Sequence, residues 1–350
     1  MKNEFKAGIG LDCGTGFLVS ARSKQDGETQ LKSVRDCFLE IITPNKLVQS
    51  TMRKGLIKSG ISFLEDEDSI IILGQDSLQQ SVERQAVLKR PMSKGVISPK
   101  EAKALPMFKA LLKELLGAPK VENEKIVFTV PAPPVDGQFD VIYHTAVIES
   151  ILKDLGFAGK SINEAHALAF SELENDDYSG ISISFGSGMT NVAAVNAADL
   201  LFSFSIAKGG DYIDHGTATS LGFDSTSKSN AYTPNLITFT KEAGVDILNP
   251  DPNDKIQIGI AAHYRNLIKY LISNLVDQFS NHQTSVKFVK PVPIVIAGGT
   301  SLAKGFIEVF NSELKLVENK LPFKVKEVRH SKNALESVAQ GCLIALMSEE

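Results

Sequence analysis

Two short glycine turns carry the first hint of chemistry in this sequence. Residues 181–195, ISISFGSGMTNVAAV, set Gly186 and Gly188 between two apolar, β-rich runs. Glycines at alternate positions let a backbone pass close to a partner, and successive N–H groups in such a turn suit an anion, most often a phosphate. The same spacing alone also fits a plain hairpin. A second copy adds weight. Residues 8–20 read GIGLDCGTGFLVS, and laying Gly14 on Gly186 and Gly16 on Gly188 sets Asp12 against Ser184. Two similar strand–turn–strand units so far apart suggest related halves facing each other across a nucleotide. The overlay also divides them, with an acid in the first copy and a hydroxyl in the second.

The elements that must hold these turns follow from local pattern. Residues 6–20 read as two strands joined at 14–16, KQDGE at 24–28 as a turn, and 29–42 as continued strand, which makes an antiparallel meander. Residues 69–73 read as a strand ending at Gly74, 76–87 as helix, and RPMSKGVI at 90–97 as loop and strand. A helix is predicted over 99–116, with Gly117 as its stop and Pro106 as a kink or boundary. KIVFTV at 125–130 is a buried-type strand ended by PAPP. Residues 137–156 form a long helix with a core stripe of Val141, Ile148, Ile151, Leu152 and Leu155, and 161–173 a strand edge and a helix.

The second half begins at another meander, 182–206, broken by Gly209 and Gly210. Asp211 is predicted to start a helix over 211–221, and the Ser/Thr/Asn-rich stretch 224–234 reads as a mobile surface loop. Residues 235–243 read as helical, and 256–278 as a long helix with Ile260, Leu267, Leu271 and Leu275 inward. PIVIA at 293–297 is a buried strand joined by Gly298, Gly299, Thr300 and Ser301 to a helix over 302–310, an order that presents N–H groups to a ligand. A strand at 323–328 and a closing helix at 333–347 follow. Antiparallel openings followed by strand–helix alternation in both halves argue for two duplicated α/β domains.

Composition narrows the function classes. A chain of 350 residues exceeds the usual size of one core, and 43% hydrophobic residues is ordinary for a folded protein. A net charge of -4 without a basic tract argues against nucleic-acid binding and against an electrostatic membrane anchor. No run is long and apolar enough to span a bilayer, and the first residues carry neither a signal-peptide core nor an amphipathic anchor. Cys13, Cys37 and Cys342 are isolated and read as reduced thiols of a cytoplasmic protein. The histidines are scattered, without metal-ligand spacing.

Taken in order, the motifs resemble the actin, Hsp70 and sugar-kinase ATPase superfamily. They are GIGLDCGTG at 8–16, INEAHALAF at 162–170, FGSG at 185–188, GGDYID at 209–214, IAGGTSLAKG at 296–305 and SVAQG at 337–341. Within that superfamily the chain is most similar to bacterial actin-like filament proteins of the MreB and MamK type, and RPMSKGVI looks like their RPMxxGVI segment. The resemblance spans nearly the whole chain. It implies a duplicated actin-like α/β fold, two domains around a central nucleotide cleft, each with a mixed sheet flanked by helices. Domain I would take residues 1–175 and domain II residues 176–332, with the closing helix at 333–350 returning to domain I. The implied cofactors are ATP or ADP with Mg2+. Gly14, Thr15 and Gly16 would wrap one side of the phosphates, and Gly186, Ser187 and Gly188 the other, with Gly210 of GGDYID beside them. Asp12 would hold the metal through a water, and Glu164 would orient attacking water. Gly298, Gly299 and Thr300 would meet the adenosine, with Lys241 and Glu242 at the adenine or ribose.

The sequence departs from the family pattern at the second turn. Ser184 and Met189 replace the acid and the threonine usual there, Asn191 stands where relatives carry Asp or Glu, and Ala165 replaces a common proline after Glu164. Serine supplies no negative charge to hold an ion or polarise water. On this reading nucleotide binding survives while hydrolysis is weak or lost. Plainer roles stand beside these: Asp12 as a turn cap, Glu164, Asp211 and Asp214 as helix caps, Ser184 as a local hydrogen-bonder, Met189 as core packing, and Gly298 with Gly299 as a simple turn. The resemblance implies an ATP-binding protein that self-associates into cytoplasmic filaments, with an adaptor protein as a further partner. An Hsp70-like chaperone or regulator is an alternative, which GGDYID and VPAP at 130–133 support. A non-hydrolysing structural member is another. A sugar kinase ranks last, because no acceptor-activating acid stands out.

Overall fold

The apolar runs flanking each glycine turn form the middle strands of two five-stranded sheets. The computed structural model describes residues 7–139, 141–223, 233–282 and 288–348. The first sheet opens as a meander of β1 (Gly8–Cys13), β2 (Phe17–Ser23) and β3 (Thr29–Arg35). The chain then makes an excursion through β4 (Phe38–Ile42), α1 (Lys46–Ser59), β5 (Phe63–Glu65), β6 (Ser69–Leu73) and α2 (Gln75–Glu83). The hairpin of β7 (Met92–Ser93) and β8 (Val96–Ile97) and then α3 (Ala104–Leu116) complete the excursion. It returns as β9 (Glu124–Val130), α4 (Val141–Asp154) and β10 (Phe157–Asn163), with β9 parallel to β1 and β10 parallel to β9.

Through α5 (Glu164–Glu172) the chain enters a second sheet of the same design. Its meander is β11 (Gly180–Phe185), β12 (Thr190–Asn196) and β13 (Asp199–Ile206). The excursion is now helical: α6 (Gly210–Ser220), α7 (Thr233–Glu242) and α8 (Lys255–Asn281). The return is β14 (Val292–Ala297), α9 (Phe306–Lys315) and β15 (Val325–His330), again parallel. Read from the meander edge, the orders β3-β2-β1-β9-β10 and β13-β12-β11-β14-β15 are the same. The duplicated α/β architecture expected from the motifs is therefore present.

The last helix, α10 (Ser337–Ser348), packs on β1 and α5. Small residues allow the approach. A Cβ on Gly341 would stand 1.8 Å from the Ala167 carbonyl oxygen, and one on Gly10 would stand 2.0 Å from that of Ala339. Val338, Cys342 and Leu346 pack in one buried cluster with Val127 of the first sheet and Ala297 of the second, so α5 and α10 fill the space between the sheets.

Several boundaries move from their expected places for local reasons. The helix predicted from 99 starts at Ala104, because Glu101 turns the chain and accepts the Lys103 N–H; Pro106 then sits in the first turn, where its missing N–H costs nothing and no kink follows. The helix predicted from 137 starts at Val141; ahead of it, Val135 N–H is bonded to the Ser205 carbonyl, which ties that stretch to β13 instead of to a helical turn. The helix predicted over 302–310 starts at Phe306, because Gly305 adopts left-handed backbone with φ 85° after a single turn at Gly299–Leu302. Asp211 is not the cap of α6, since Gly209 holds that position without a side-chain bond. Strand β4 leaves the first meander and pairs with β6 in a separate three-stranded sheet. Most of the loop predicted at 224–234 lies outside the described residues.

Candidate functional site

The two glycine turns meet face to face. Each closes a hairpin, with Gly14 N–H donating to the Phe17 carbonyl at 3.1 Å and Gly186 N–H to the Met189 carbonyl at 2.9 Å. A Cβ on Gly16 would lie 2.2 Å from Ser187 Oγ, and one on Gly188 would lie 2.6 Å from Thr15 Oγ1. Glycine at these two positions is a condition of the close approach. The β7–β8 hairpin backs both turns: Gly95 N–H donates to Thr15 Oγ1 at 2.9 Å, and Met189 packs on Gly95. Among the described residues, the N–H groups of Thr15, Gly16, Ser187 and Gly188 meet no protein acceptor. Four donors in two opposed turns are what an anion with several oxygens requires.

These turns border a cavity of about 440 Å3 between the two sheets. Asp12, Gly14, Thr15, Gly16, Glu164, Gly186, Ser187, Gly188, Lys241, Glu242, Gly298, Gly299 and Thr300, all nominated from sequence, line it. Gly210 does not. Its N–H is taken by the Gly186 carbonyl at 3.0 Å, and its own carbonyl accepts Lys241 Nζ at 3.1 Å. Gly210 thus braces the second turn from behind. Thr300 does the same while lining the cavity, as its hydroxyl donates to the Gly186 carbonyl at 2.9 Å.

Charge in the cavity is unevenly satisfied. Each basic wall residue already has an acid: Arg35 with Glu242 at 2.7 Å, Arg90 with Asp211 at 2.6 Å, Lys241 with Asp214 at 2.7 Å and Lys304 with Asp246 at 2.8 Å. Among the described residues, Asp12 and Glu164 have only neutral hydrogen-bond partners. Thr129 Oγ1 donates to Asp12 Oδ1 at 2.9 Å and accepts the Cys13 N–H at 2.8 Å. Asn191 Nδ2 donates to Glu164 Oε2 at 2.9 Å, and its Oδ1 accepts the Ala132 N–H at 3.0 Å. Burial holds both carboxyls above the ordinary carboxylate range, and the charge of Asp12 raises Glu164 further. Glu164 also opens α5 at its first turn, but Asn163 is the cap, accepting the His166 N–H at 3.0 Å.

The residues fit a nucleotide with a divalent ion. Among the described residues, no three His, Cys, Asp or Glu groups come together as a protein cage for a metal. Magnesium prefers one or two carboxylates plus phosphate and water, and Asp12 beside empty-handed turn amides offers that setting.

Two features escaped the sequence reading. Arg35 and Glu242 are separated by 207 positions, yet they pair across the cleft, and Arg35 also lies over the Phe17 ring at 4.4 Å. Arg90 sits in the quoted RPMSKGVI segment, but nothing in that segment names Asp211 as its partner. Both pairs tie the first half to the second.

The sheets, their shared order and the cleft define an actin-like fold. Known structures agree: MreB 5 of Spiroplasma citri bound to AMPPNP is similar over 99% of this chain and 97% of its own, with TM-score 0.66 and 14% identity. The MamK double helical filament is similar over 99% of both chains, with TM-score 0.63 and 14% identity. The ethanolamine utilization protein EutJ from Carboxydothermus hydrogenoformans follows with TM-score 0.53 and 15% identity, over 98% of this chain and 91% of its own. No curated protein matches the sequence. The chain belongs to the Volactin family, which it matches over residues 8–346.

Proposed function

We propose that this protein binds ATP with Mg2+ in the central cleft and assembles into filaments in the cytoplasm, with weak or absent hydrolysis. One observation carries the reading: every nominated site residue except Gly210 lines a single cavity where two glycine turns present unpaired N–H groups. In this reading the turn amides take the phosphates, Asp12 holds the ion through water, and Glu164 orients a water near the terminal phosphate. Residues 1–175 and 176–332 are the two bodies that nucleotide draws together, with α10 travelling with the first. The solved relatives support nucleotide and polymer in general terms, one bound to AMPPNP and another a double helical filament. Three unpaired cysteines suit a reducing compartment, and no described helix is long and apolar enough to cross a membrane.

Slow turnover follows from the second copy. Ser184 stands in place of an acid, and its neighbour on β14 is Ala297, so the second turn brings no charge of its own where the first brings Asp12. The test is sedimentation and electron microscopy of the purified protein with ATP, with ADP and without nucleotide, alongside phosphate release. Nucleotide-dependent polymer with little phosphate release is the expected result. Absence of polymer across concentrations and salts refutes the filament reading.

A further inference from the structure

Helix α8 is inward-facing and apolar at Ile260, Leu267, Leu271 and Leu275, all fully buried. Tyr264 completes that stripe and is only 1% exposed. Its ring packs edge-on to Phe306 at 6.1 Å, and Phe306 packs edge-on to Phe185, the residue before the second glycine turn. Phenylalanine would fill this slot equally well, so packing does not account for the hydroxyl. A buried tyrosine hydroxyl ordinarily finds a hydrogen-bond partner. Here none of the described residues supplies one, and Tyr264 is a wall of the cavity beside Asp214, Lys241 and Glu242. Burial, with the charges of Asp214 and Glu242, holds the phenol proton more firmly than usual, so the group is a donor or neutral acceptor at physiological pH.

The position within the cleft sets its partner. Phe306, on which Tyr264 packs, begins the helix directly after the 298–305 turn, and Gly298, Gly299 and Thr300 of that turn line the cavity together with Tyr264. The turn amides left for phosphates lie instead at Thr15, Gly16, Ser187 and Gly188. We infer that Tyr264 is a recognition residue for the nucleoside half of a bound nucleotide, its hydroxyl bonding the ribose or the base and not the phosphates. The inference rests on the nucleotide-binding reading above.

Calorimetric binding of Mg-ATP and of Mg-tripolyphosphate to wild type and Tyr264→Phe tests it. The variant keeps the ring, so its melting temperature without ligand stays that of wild type. ATP affinity falls about tenfold, the worth of one well-made hydrogen bond, while tripolyphosphate affinity is unchanged. Repeating the titration with 2′-deoxy-ATP narrows the contact: a variant effect that vanishes points to the ribose 2′-hydroxyl, and one that persists to the base or the 3′-hydroxyl. Unchanged ATP affinity in the variant overturns the inference and leaves the nucleotide reading standing. Equal losses for both ligands overturn it as well, because they mean a general distortion. Wild-type protein that binds no nucleotide overturns the nucleotide reading and this inference with it.

Discussion

The two glycine turns share a backbone and differ in chemistry. Each joins the first two strands of a five-stranded sheet, and each has a parallel strand on its other side. In the first, Asp12 is bonded to Thr129 at the end of β9. In the second, Ser184 pairs with Ala297 of β14 and with Asn191 of β12. An acid and a hydroxyl in one copy thus correspond to a hydroxyl and a methyl in the other. The difference shows that a duplicated frame can keep unpaired turn amides on both sides while leaving the charge to one. It also gives Ser184 and Asn191 another task, since both lie against the Glu164 carboxylate and favour its charged form.

Breaking the asymmetry at Asp12 has the largest expected effect. Asp12→Asn lowers Mg-ATP affinity on the order of a hundredfold in calorimetry, whereas Ser184→Ala changes it by less than about threefold. Equal losses would show that the two turns share the ion after all.

Acid separates the halves by another route. His144 of α4 is fully buried; its Nδ1 accepts the Ile97 N–H at 3.2 Å and its Nε2 has no partner among the described residues. Burial lowers it from 6.5 to about 4. A depressed folded value means that its stabilising contribution is whole above the unfolded value and drains as pH falls through 6.5 towards 4. Between pH 7 and pH 5 the wild type loses about 2 kcal/mol through this group, and His144→Asn, which keeps an acceptor for Ile97, does not. Denaturant melts of both proteins across that range measure the gap. Hydrogen exchange should place the loosening in the hairpin that backs the glycine turns.

Restoring the missing acid sharpens the comparison. Ser184→Asp is expected to raise metal-dependent phosphate release roughly tenfold and to lower the stability of the unliganded protein, because a third carboxylate joins Asp12 and Glu164 in a buried site. Unchanged release would locate the deficit elsewhere, in Asn191 or in the approach of Glu164.

The smallest effect concerns the pairs that span the cleft. Glu242 is partly open to solvent while Arg35 is buried, so screening limits their bond. Arg35→Met and Glu242→Gln each speed nucleotide release about threefold in stopped-flow, and the double variant is no faster than either. Additive effects would mean that the two residues act on nucleotide separately.

The legible parts of this molecule were those written in local pattern. Alternating apolar runs around 14–16 and 186–188 marked the central strands, and their order along the chain marked the duplication. Helix α1 was missed because KLVQSTMRKGLIKS carries no clear apolar stripe and buries only Gln49 and Leu56. The break at Gly305 was hidden because a left-handed glycine inside an apolar run resembles a tolerated helical one. Arg35 with Glu242 and Arg90 with Asp211 depend on distant segments meeting, which no spacing records. Tyr264 was hidden by its own packing, as it occupies a core slot and shows its function only at one oxygen.

The return of α10 has a consequence for synthesis. Every strand of the first sheet has been made by residue 163, yet Ala339 and Leu343, which cover Val19 and Ala21, come at the far end of the chain. The first-made sheet therefore lacks the α10 part of its cover until that helix is made, although α5 already packs against Val127, while the second sheet, complete at His330, has all its strands before that cover arrives. Early strands closed by late residues give a high contact order, and a premature stop before Ser337 leaves a nascent chain with an uncovered apolar face.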